Sequence, residues 1–212
     1  MAGALDGLRI VDMSHYLAGP QVAMMFGDLG ADVIRIAPLN GPRWDHPANA
    51  MLQRDKRGFV FDLTQQDDRN TPQRLKITAD VVIENPRPGV ATRVAVGPEA
   101  SMATNPRLNC CSIPGFGHGD PRAHMKAWEG VICAAAGIYV SKTPDSQDDP
   151  VFNAVPYASS FGAIVAAHTR RWRHSSSVNV RASDSGWGSR YSTRCLKRSA
   201  TSVSASLAVQ SR

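Results

Sequence analysis

The sequence predicts an α/β fold in which helices cover an open parallel sheet. Three observations near the N-terminus lead to this prediction. Residues 8–11 form a short apolar run with β-branched residues and indicate a buried strand. Apolar residues at helical spacing over 21–29 indicate a helix, and a second apolar run at 33–36 indicates another strand. A strand, a helix and a strand this close together form a βαβ unit, which requires parallel strands.

The loop between the first strand and the helix is the first candidate binding element. It contains Ser14, Gly19 and Pro20, which are typical of a turn that leads into a helix, and Gly30 predicts where that helix ends. A loop that follows a parallel strand lies at the carboxyl edge of the sheet, where such folds bind ligands. Its helix-initiating amides favour an anionic group. No Gly-x-Gly-x-x-Gly follows the strand, so the dinucleotide fingerprint is absent.

The rest of the chain continues the alternation of strands and helices. A long surface loop is predicted over 37–57, and Arg54, Lys56 and Arg57 form a cationic cluster near its end. The further predicted elements are strands at 58–63, 80–83 and 108–113, and helices at 64–79, 91–103, 128–139 and from 155 onward. The pair Cys110 and Cys111 lies within an apolar run and is expected to pack in the core.

Charge and cysteine spacing exclude several classes of function. The net charge of +6 arises from the C-terminal segment: residues 171–212 contain 8 Lys or Arg and 1 Asp, whereas residues 1–170 contain 16 basic and 17 acidic residues. A basic face for nucleic acid is therefore not predicted. No apolar run is long enough to span a membrane, and the four cysteines show neither a disulfide framework nor metal-ligand spacing. We expect a cytoplasmic protein without a metal.

The composition of the chain changes near residue 170. Residues 1–169 have the periodic patterns of a folded region, whereas 12 of the last 42 residues are Ser and no period is visible. We interpret residues 170–212 as a disordered basic tail or as a segment translated out of frame. A one-base shift is compatible with an amphipathic sequence that ends in Gly-x-Gly-Gln, and the single codons of Trp172 and Trp187 both fit it.

Several motifs, in order, resemble the family III CoA-transferases. They are LDGLRIVDMSHYLAGP, DLGADVIRI, the segment from Asp55 to Leu63, ADVVIENPRPGV and NPRLNCCSIPGFG. The resemblance covers roughly residues 5–168. It implies a Rossmann-like large domain, a smaller domain and an interlocked homodimer. It also implies acyl-CoA and a small carboxylic acid as substrates, with no tightly bound cofactor. Members are about twice as long, so the chain resembles only the N-terminal part of the family.

The resemblance also implies the residues of a binding site. It places Ala18 in the first loop, Asn85 at a strand end, and Arg93 and Lys126 around CoA. A cation beside CoA phosphates forms charge-assisted hydrogen bonds, which are strong. Two positions differ from the family, because Pro38 stands near the position of an arginine and Pro86 stands where an aromatic residue is expected.

The segment HMKAWEGVICAAAG, residues 124–137, favours the formyl-CoA transferase type within the family. The α-methylacyl-CoA racemases carry a His-Asp pair here, and Trp128 occupies the His position. A racemase needs two bases, so an isomerase is the less favoured alternative.

The resemblance places the family's catalytic Asp at Ser159, give or take one residue. In the family this Asp attacks the acyl-CoA thioester and then holds CoA as an aspartyl thioester. A Ser has no side-chain carbonyl on which to hold CoA, so that route is closed at Ser159. Glu129 is the nearest carboxyl at a family position, and the resemblance gives it a supporting role. The alternative is a non-catalytic CoA-binding or interaction module.

Overall fold

The computed structural model describes residues 3–42, 44–61, 74–85, 105–117, 120–139, 152 and 154–176, with side chains as far as residue 168. Its five strands are β1 (Arg9–Asp12), β2 (Asp32–Pro38), β3 (Lys56–Phe61), β4 (Val81–Glu84) and β5 (Asn109–Ser112). Its four helices are α1 (Ala18–Gly27), α2 (Ala48–Leu52), α3 (Glu129–Ala135) and α4 (Tyr157–Ser176). A further helical segment covers residues 74–77.

The strands form one parallel sheet in the order β3-β2-β1-β4-β5, which confirms the predicted α/β fold. Each of the five strands lies within two residues of its predicted place. The order reverses at β1, because the chain leaves β1 toward β2 on one side and reaches β4 on the other. The carboxyl ends of β1 and β4 therefore form the switch point, where doubly wound folds bind ligands.

Two apolar layers cover the two faces of the sheet. The first layer joins β1, β2, β4 and β5 to α1 and α4; it contains Leu8, Ile10, Val22, Phe26, Val33, Ile83, Cys111, Ala163 and Ala167. The second layer, on the opposite face, contains Val11, Ile34, Ile36, Ala79, Val82 and Leu108, and Cys110 packs against it. The predicted core positions of Cys110 and Cys111 are thus confirmed, one on each face. The small residues of α4 allow it to lie close to α1.

The limits of α1, α3 and α4 differ from the prediction. α1 begins at Ala18, three residues before the predicted start, and Gly30, which follows it, takes a φ of +100° that favours glycine. α3 ends at Ala135, earlier than predicted, whereas α4 remains helical as far as Ser176. Regular backbone therefore extends past the predicted boundary at residue 170. The predicted helix at 91–103 and the rest of the tail lie outside the described residues.

A lysine is buried on the second face of the sheet. Lys76 is only 2% exposed, and burial lowers its pKa to about 8, although the neighbouring Cys110 and Glu84 act in the opposite direction. Burial likewise raises the pKa of Glu84, against the effects of Lys76 and of a hydrogen bond from the Ser112 side chain. The folded protein therefore disfavours the proton on Lys76 relative to the unfolded chain.

This burial predicts a pH-dependent stability. Between about pH 8 and pH 10.5 the unfolded chain binds more protons at Lys76 than the folded chain does, so stability rises with pH by up to roughly 3 kcal/mol. The Lys76→Met variant should lose this rise, as measured by urea unfolding across that range. The exposed Lys126→Met variant is the matched control and should keep it. A Lys76→Met protein that retains the full slope would contradict the assignment.

Candidate active site

The loop that follows β1 is fixed by the last residue of the strand. Asp12 is fully buried; its Oδ1 accepts a hydrogen bond from the Ser14 backbone N–H at 3.0 Å and another from the Ser14 hydroxyl. These bonds form a local turn of the kind that Asp favours. A Cβ at Gly19 would lie 2.2 Å from the Ser14 Cβ, so only glycine allows α1 to begin this close to the loop. The predicted turn residues therefore have defined structural roles.

Asn85 holds the same loop from the neighbouring strand. Its Oδ1 accepts a hydrogen bond from the His15 N–H at 2.7 Å, and its Nδ2 donates to the His15 carbonyl at 2.6 Å. The structure thus brings Asn85 next to the loop that leads to Ala18. Because the side-chain amide is bonded on both sides to the loop backbone, Asn85 positions the loop. Tyr16, which follows His15 in the loop, is exposed and has a φ of 64°, an unusual conformation for a residue with a side chain.

A buried group of charges lies beneath the start of α1. Lys56 Nζ donates to Asp12 Oδ2 and to the Pro20 carbonyl, both at 2.9 Å, and Arg35 Nη1 lies 3.8 Å from the same carboxylate. Burial lowers the pKa of Lys56 more than Asp12 raises it. Removing one partner of such a buried pair leaves an uncompensated charge, which costs several kcal/mol. Asp12 therefore ties β1, β2, β3 and α1 together.

The prediction of a surface cationic cluster at Arg54, Lys56 and Arg57 is wrong for Lys56 only, since the side chains of Arg54 and Arg57 are exposed. The Lys56 side chain is buried against Asp12. Arg54 pairs with Asp28 at 2.6 Å, and Arg57 pairs with Asp32 at 2.6 Å. The three cations are adjacent in sequence, but each one is matched by a different carboxylate. They do not form a patch for a polyanion.

Glu129 and Ser159 meet at the first turn of α4. Glu129 Oε2 accepts hydrogen bonds from the Ser159 hydroxyl at 2.6 Å and from the Ser159 N–H at 2.8 Å. Its Oε1 accepts one from the Ala158 N–H at 2.8 Å and one from the Cys133 thiol at 3.1 Å. The structure thus unites the two candidate catalytic residues, which are 30 positions apart in the chain.

The surroundings of Glu129 stabilise its charged form. Burial alone raises the pKa of this carboxyl, but the hydrogen bonds from Ser159, Cys133 and the backbone N–H of Ala158 together lower it below its ordinary value. The N-terminus of a long helix also favours a negative charge. The pKa of Cys133 is raised by burial and by its bond to Glu129, so this group stays a thiol. Glu129 is therefore an ionised, half-buried carboxylate at neutral pH.

The segment before α3 places Glu129 at the carboxyl edge of the sheet. Gly115 follows β5, and a Cβ at this position would lie 2.4 Å from the Ala127 Cβ, so the two segments are in close contact. Lys126, the predicted CoA contact, is exposed in the same segment. Arg93, the other predicted cation, lies outside the described residues. Of the predicted binding residues, Ala18 and Asn85 lie at one part of this edge and Lys126 at another.

Sequence patterns missed three groups of the site. Asp12 and Lys56 were not predicted as partners, because no local signal relates a strand end to a lysine 44 residues later. Cys133 follows Glu129 by one helical turn, so the spacing of the two residues on a predicted helix was an available signal. In the described part of the chain, no group of three or more His, Cys, Asp or Glu residues could hold a metal ion, and no helix is long and apolar enough to cross a membrane.

The chain belongs to CoA-transferase family III, whose sequence profile matches residues 5–169. It is 36% identical over 167 residues to the CoA-transferase/lyase DddD of Marinomonas sp. (strain MWYL1), a match that covers 77% of this chain and 20% of that protein. It is 34% identical over 149 residues to the acetyl-CoA:oxalate CoA-transferase of Acetobacter aceti, covering 66% of this chain and 38% of that protein. The chain thus spans less than half the length of these relatives.

Solved structures show the same fold. Rv3272 from Mycobacterium tuberculosis, in an orthorhombic crystal form, matches with a TM-score of 0.74 and 25% identity over 90% of this chain and 57% of that one. A CAIB/BAIF family protein from Brucella suis matches with a TM-score of 0.72 and 31% identity over 82% of this chain and 51% of that one. These likenesses confirm the resemblance inferred from the sequence motifs.

The Asn85 contacts predict a specific cost of mutation. Replacing Asn85 with Ala removes both hydrogen bonds that it makes to the His15 backbone, so we expect a loss of about 1–3 kcal/mol in the free energy of unfolding. Urea unfolding measures this loss. Asn109→Ala is the matched control, because among the described residues the exposed Asn109 side-chain amide donates just one long hydrogen bond, of 3.3 Å, to the Arg107 carbonyl. Equal losses in the two variants would show that Asn85 does not hold the loop.

Proposed function

We propose that this chain binds acyl-CoA along the carboxyl edge of the sheet and takes part in moving CoA between acyl-CoA and a small carboxylic acid. The observation that supports this most directly is the meeting of Glu129 with Ser159 at the start of α4. It joins residues 124–137, the segment that contains Lys126, to the position that the resemblance gives to the family's catalytic Asp. The names of the relatives above point to the same kind of transfer.

The first loop supplies the chemistry that a phosphate group needs. Among the described residues, no side chain caps the N-terminus of α1, so the N–H groups of Ala18 and Gly19 can take an anionic ligand; Pro20 has no N–H. Lys126 adds an exposed positive charge, and the resemblance adds Arg93. The acyl-CoA enters and leaves as a substrate, with no tightly bound cofactor in the proposal.

A second candidate is a CoA-binding module without transferase activity. Ser159 is the residue that favours it, because a hydroxyl at this position cannot hold CoA as a thioester. An isomerase of the racemase type is less favoured. Trp128, which stands at the racemase His position, is 60% exposed and directly precedes α3. An indole has no basic nitrogen with which to take a proton from a substrate.

The proposal also covers the C-terminal segment, the cellular location and the oligomeric state of the protein. We hold that residues from about 170 onward are translated out of frame, because their composition breaks with the family pattern there. The base sequence of the gene tests this, and it fails if no one-base shift restores the pattern. A cytoplasmic location and the interlocked homodimer stay predictions from the cysteine usage and the resemblance.

Calorimetric titration with CoA and with an acyl-CoA tests the binding proposal. Lys126→Ala should weaken CoA binding about tenfold, because a charge-assisted hydrogen bond contributes roughly 1.5 kcal/mol. Arg107→Ala is the control: Arg107 is also an exposed cation, but it precedes β5 at the opposite edge of the sheet. Transfer of radiolabelled CoA between two acids then separates the transferase from the binding module. A protein that binds neither CoA nor acyl-CoA would refute both candidates.

A further inference from the structure

A transferase that works through a covalent intermediate needs a side-chain carbonyl at the reacting centre. Ser159 has none, but the space at the end of its side chain is occupied by the Glu129 carboxylate, with 2.6 Å between Ser159 Oγ and Glu129 Oε2. In the described part of the N-terminal half of α4 there is no acidic side chain. Glu129 is thus the carboxylate that the fold presents at the position of the missing Asp.

We propose that Glu129 carries CoA as a γ-glutamyl thioester and that Ser159 holds the oxyanion formed on the way. This inference rests on the proposed CoA transfer and names the residue that performs it. It gives Glu129 a catalytic role in place of the supporting role that the resemblance implies. It also gives Ser159 a role that a hydroxyl can fill.

The two carboxylate oxygens differ in a way that suits this chemistry. Oε1 is held by the Ala158 N–H and by the Cys133 thiol, which is a weak hydrogen-bond donor. Releasing the thiol costs little and frees a lone pair on Oε1 for attack. Oε2 is held by the N–H and the hydroxyl of Ser159 at 2.8 Å and 2.6 Å. Two donors on one oxygen form an oxyanion hole.

Charge and access support the same assignment. Glu129 is ionised at neutral pH for the reasons given above, and it is half-buried, so an acyl group has a path to it. Asp12, the other carboxylate that organises this edge, is fully buried and bonded to Lys56 and Ser14. A thioester cannot form on Asp12 without unfolding its surroundings.

The reaction balances without a co-reactant. Oε1 of Glu129 attacks the thioester carbon of acyl-CoA, the C–S bond breaks, and a mixed anhydride and the CoA thiolate result. The thiolate attacks the Glu129 carbonyl carbon while Ser159 holds Oε2, and the donor acid leaves as a carboxylate. The acceptor carboxylate then attacks the glutamyl thioester and expels the thiolate. The thiolate attacks the acceptor's acyl carbon and releases acyl-CoA and free Glu129.

Trapping the thioester tests this proposal. The full chain is incubated with acetyl-CoA or succinyl-CoA, quenched with hydroxylamine, digested and analysed by mass spectrometry. We expect a hydroxamate on Glu129. Glu129→Gln, which keeps the shape of the side chain, should abolish the adduct and lower transfer by at least about a thousandfold. Ser159→Ala should lower kcat about a hundredfold with little change in KM, because it removes one oxyanion donor.

The control and the possible outcomes keep this test separate from that of the proposed function. Asp28→Asn makes the same chemical change at the far end of α1, where Asp28 pairs only with Arg54 among the described ion pairs, and it should leave transfer unchanged. The wild-type adduct needs no variant, so a misfolded Glu129→Gln protein does not weaken the test. Transfer with an adduct elsewhere, or without any adduct on Glu129, overturns this inference alone. CoA binding without transfer overturns it together with the transferase candidate and leaves the binding module. Failure to bind CoA overturns the proposed function as well.

Discussion

The contact between Glu129 and the first turn of α4 is the interaction on which the candidate site depends. A helix begins with N–H groups that have no partner within the helix. The residue before α4 is Pro156, whose side chain contains no acceptor, so the acceptor comes from α3. Glu129 accepts the N–H groups of Ala158 and Ser159 and thereby joins two helices. Since Ala127 lies against Gly115, the same contact fixes the start of α4 relative to the carboxyl edge of β5.

Two carboxylates organise this edge of the sheet, and their surroundings assign them different roles. Asp12 is fully buried, and strong donors from Ser14 and Lys56 hold its oxygens. Burying a charge in this way costs several kcal/mol unless its partners stay in place, so Asp12 is suited to holding the loop still. Glu129 is half-buried, and one of its four donors is a thiol. Its hydrogen bonds stabilise its charged form, and release of the Cys133 thiol frees a lone pair on Oε1.

The sequence predicted the strands and helices better than it predicted the contacts between them. Apolar runs with β-branched residues located β1, β2 and β4, because a strand buried in a parallel sheet needs such residues over most of its length. The other two strands have weaker patterns: β3 is largely exposed, and β5 has polar residues at both ends. The bond between Asn85 and His15 and the one between Lys56 and Asp12 join residues 70 and 44 positions apart, and no local pattern encodes them. Lys56 therefore looked like one member of a surface cluster, although it is buried. The family resemblance named Glu129 and Ser159 separately, whereas their contact and the hydrogen-bond pattern that distinguishes the two Glu129 oxygens came only from the structure.

The most direct measurement follows the oxygen atoms of Glu129 during turnover. In the proposed route the donor acid leaves with Oε1, and the acceptor carboxylate returns one of its own oxygens to Glu129. Turnover with an acceptor acid labelled in its carboxylate with the heavy oxygen isotope should therefore leave one labelled oxygen on the peptide that contains Glu129, as read by mass spectrometry. CoA transfer that leaves Glu129 unlabelled would contradict the account.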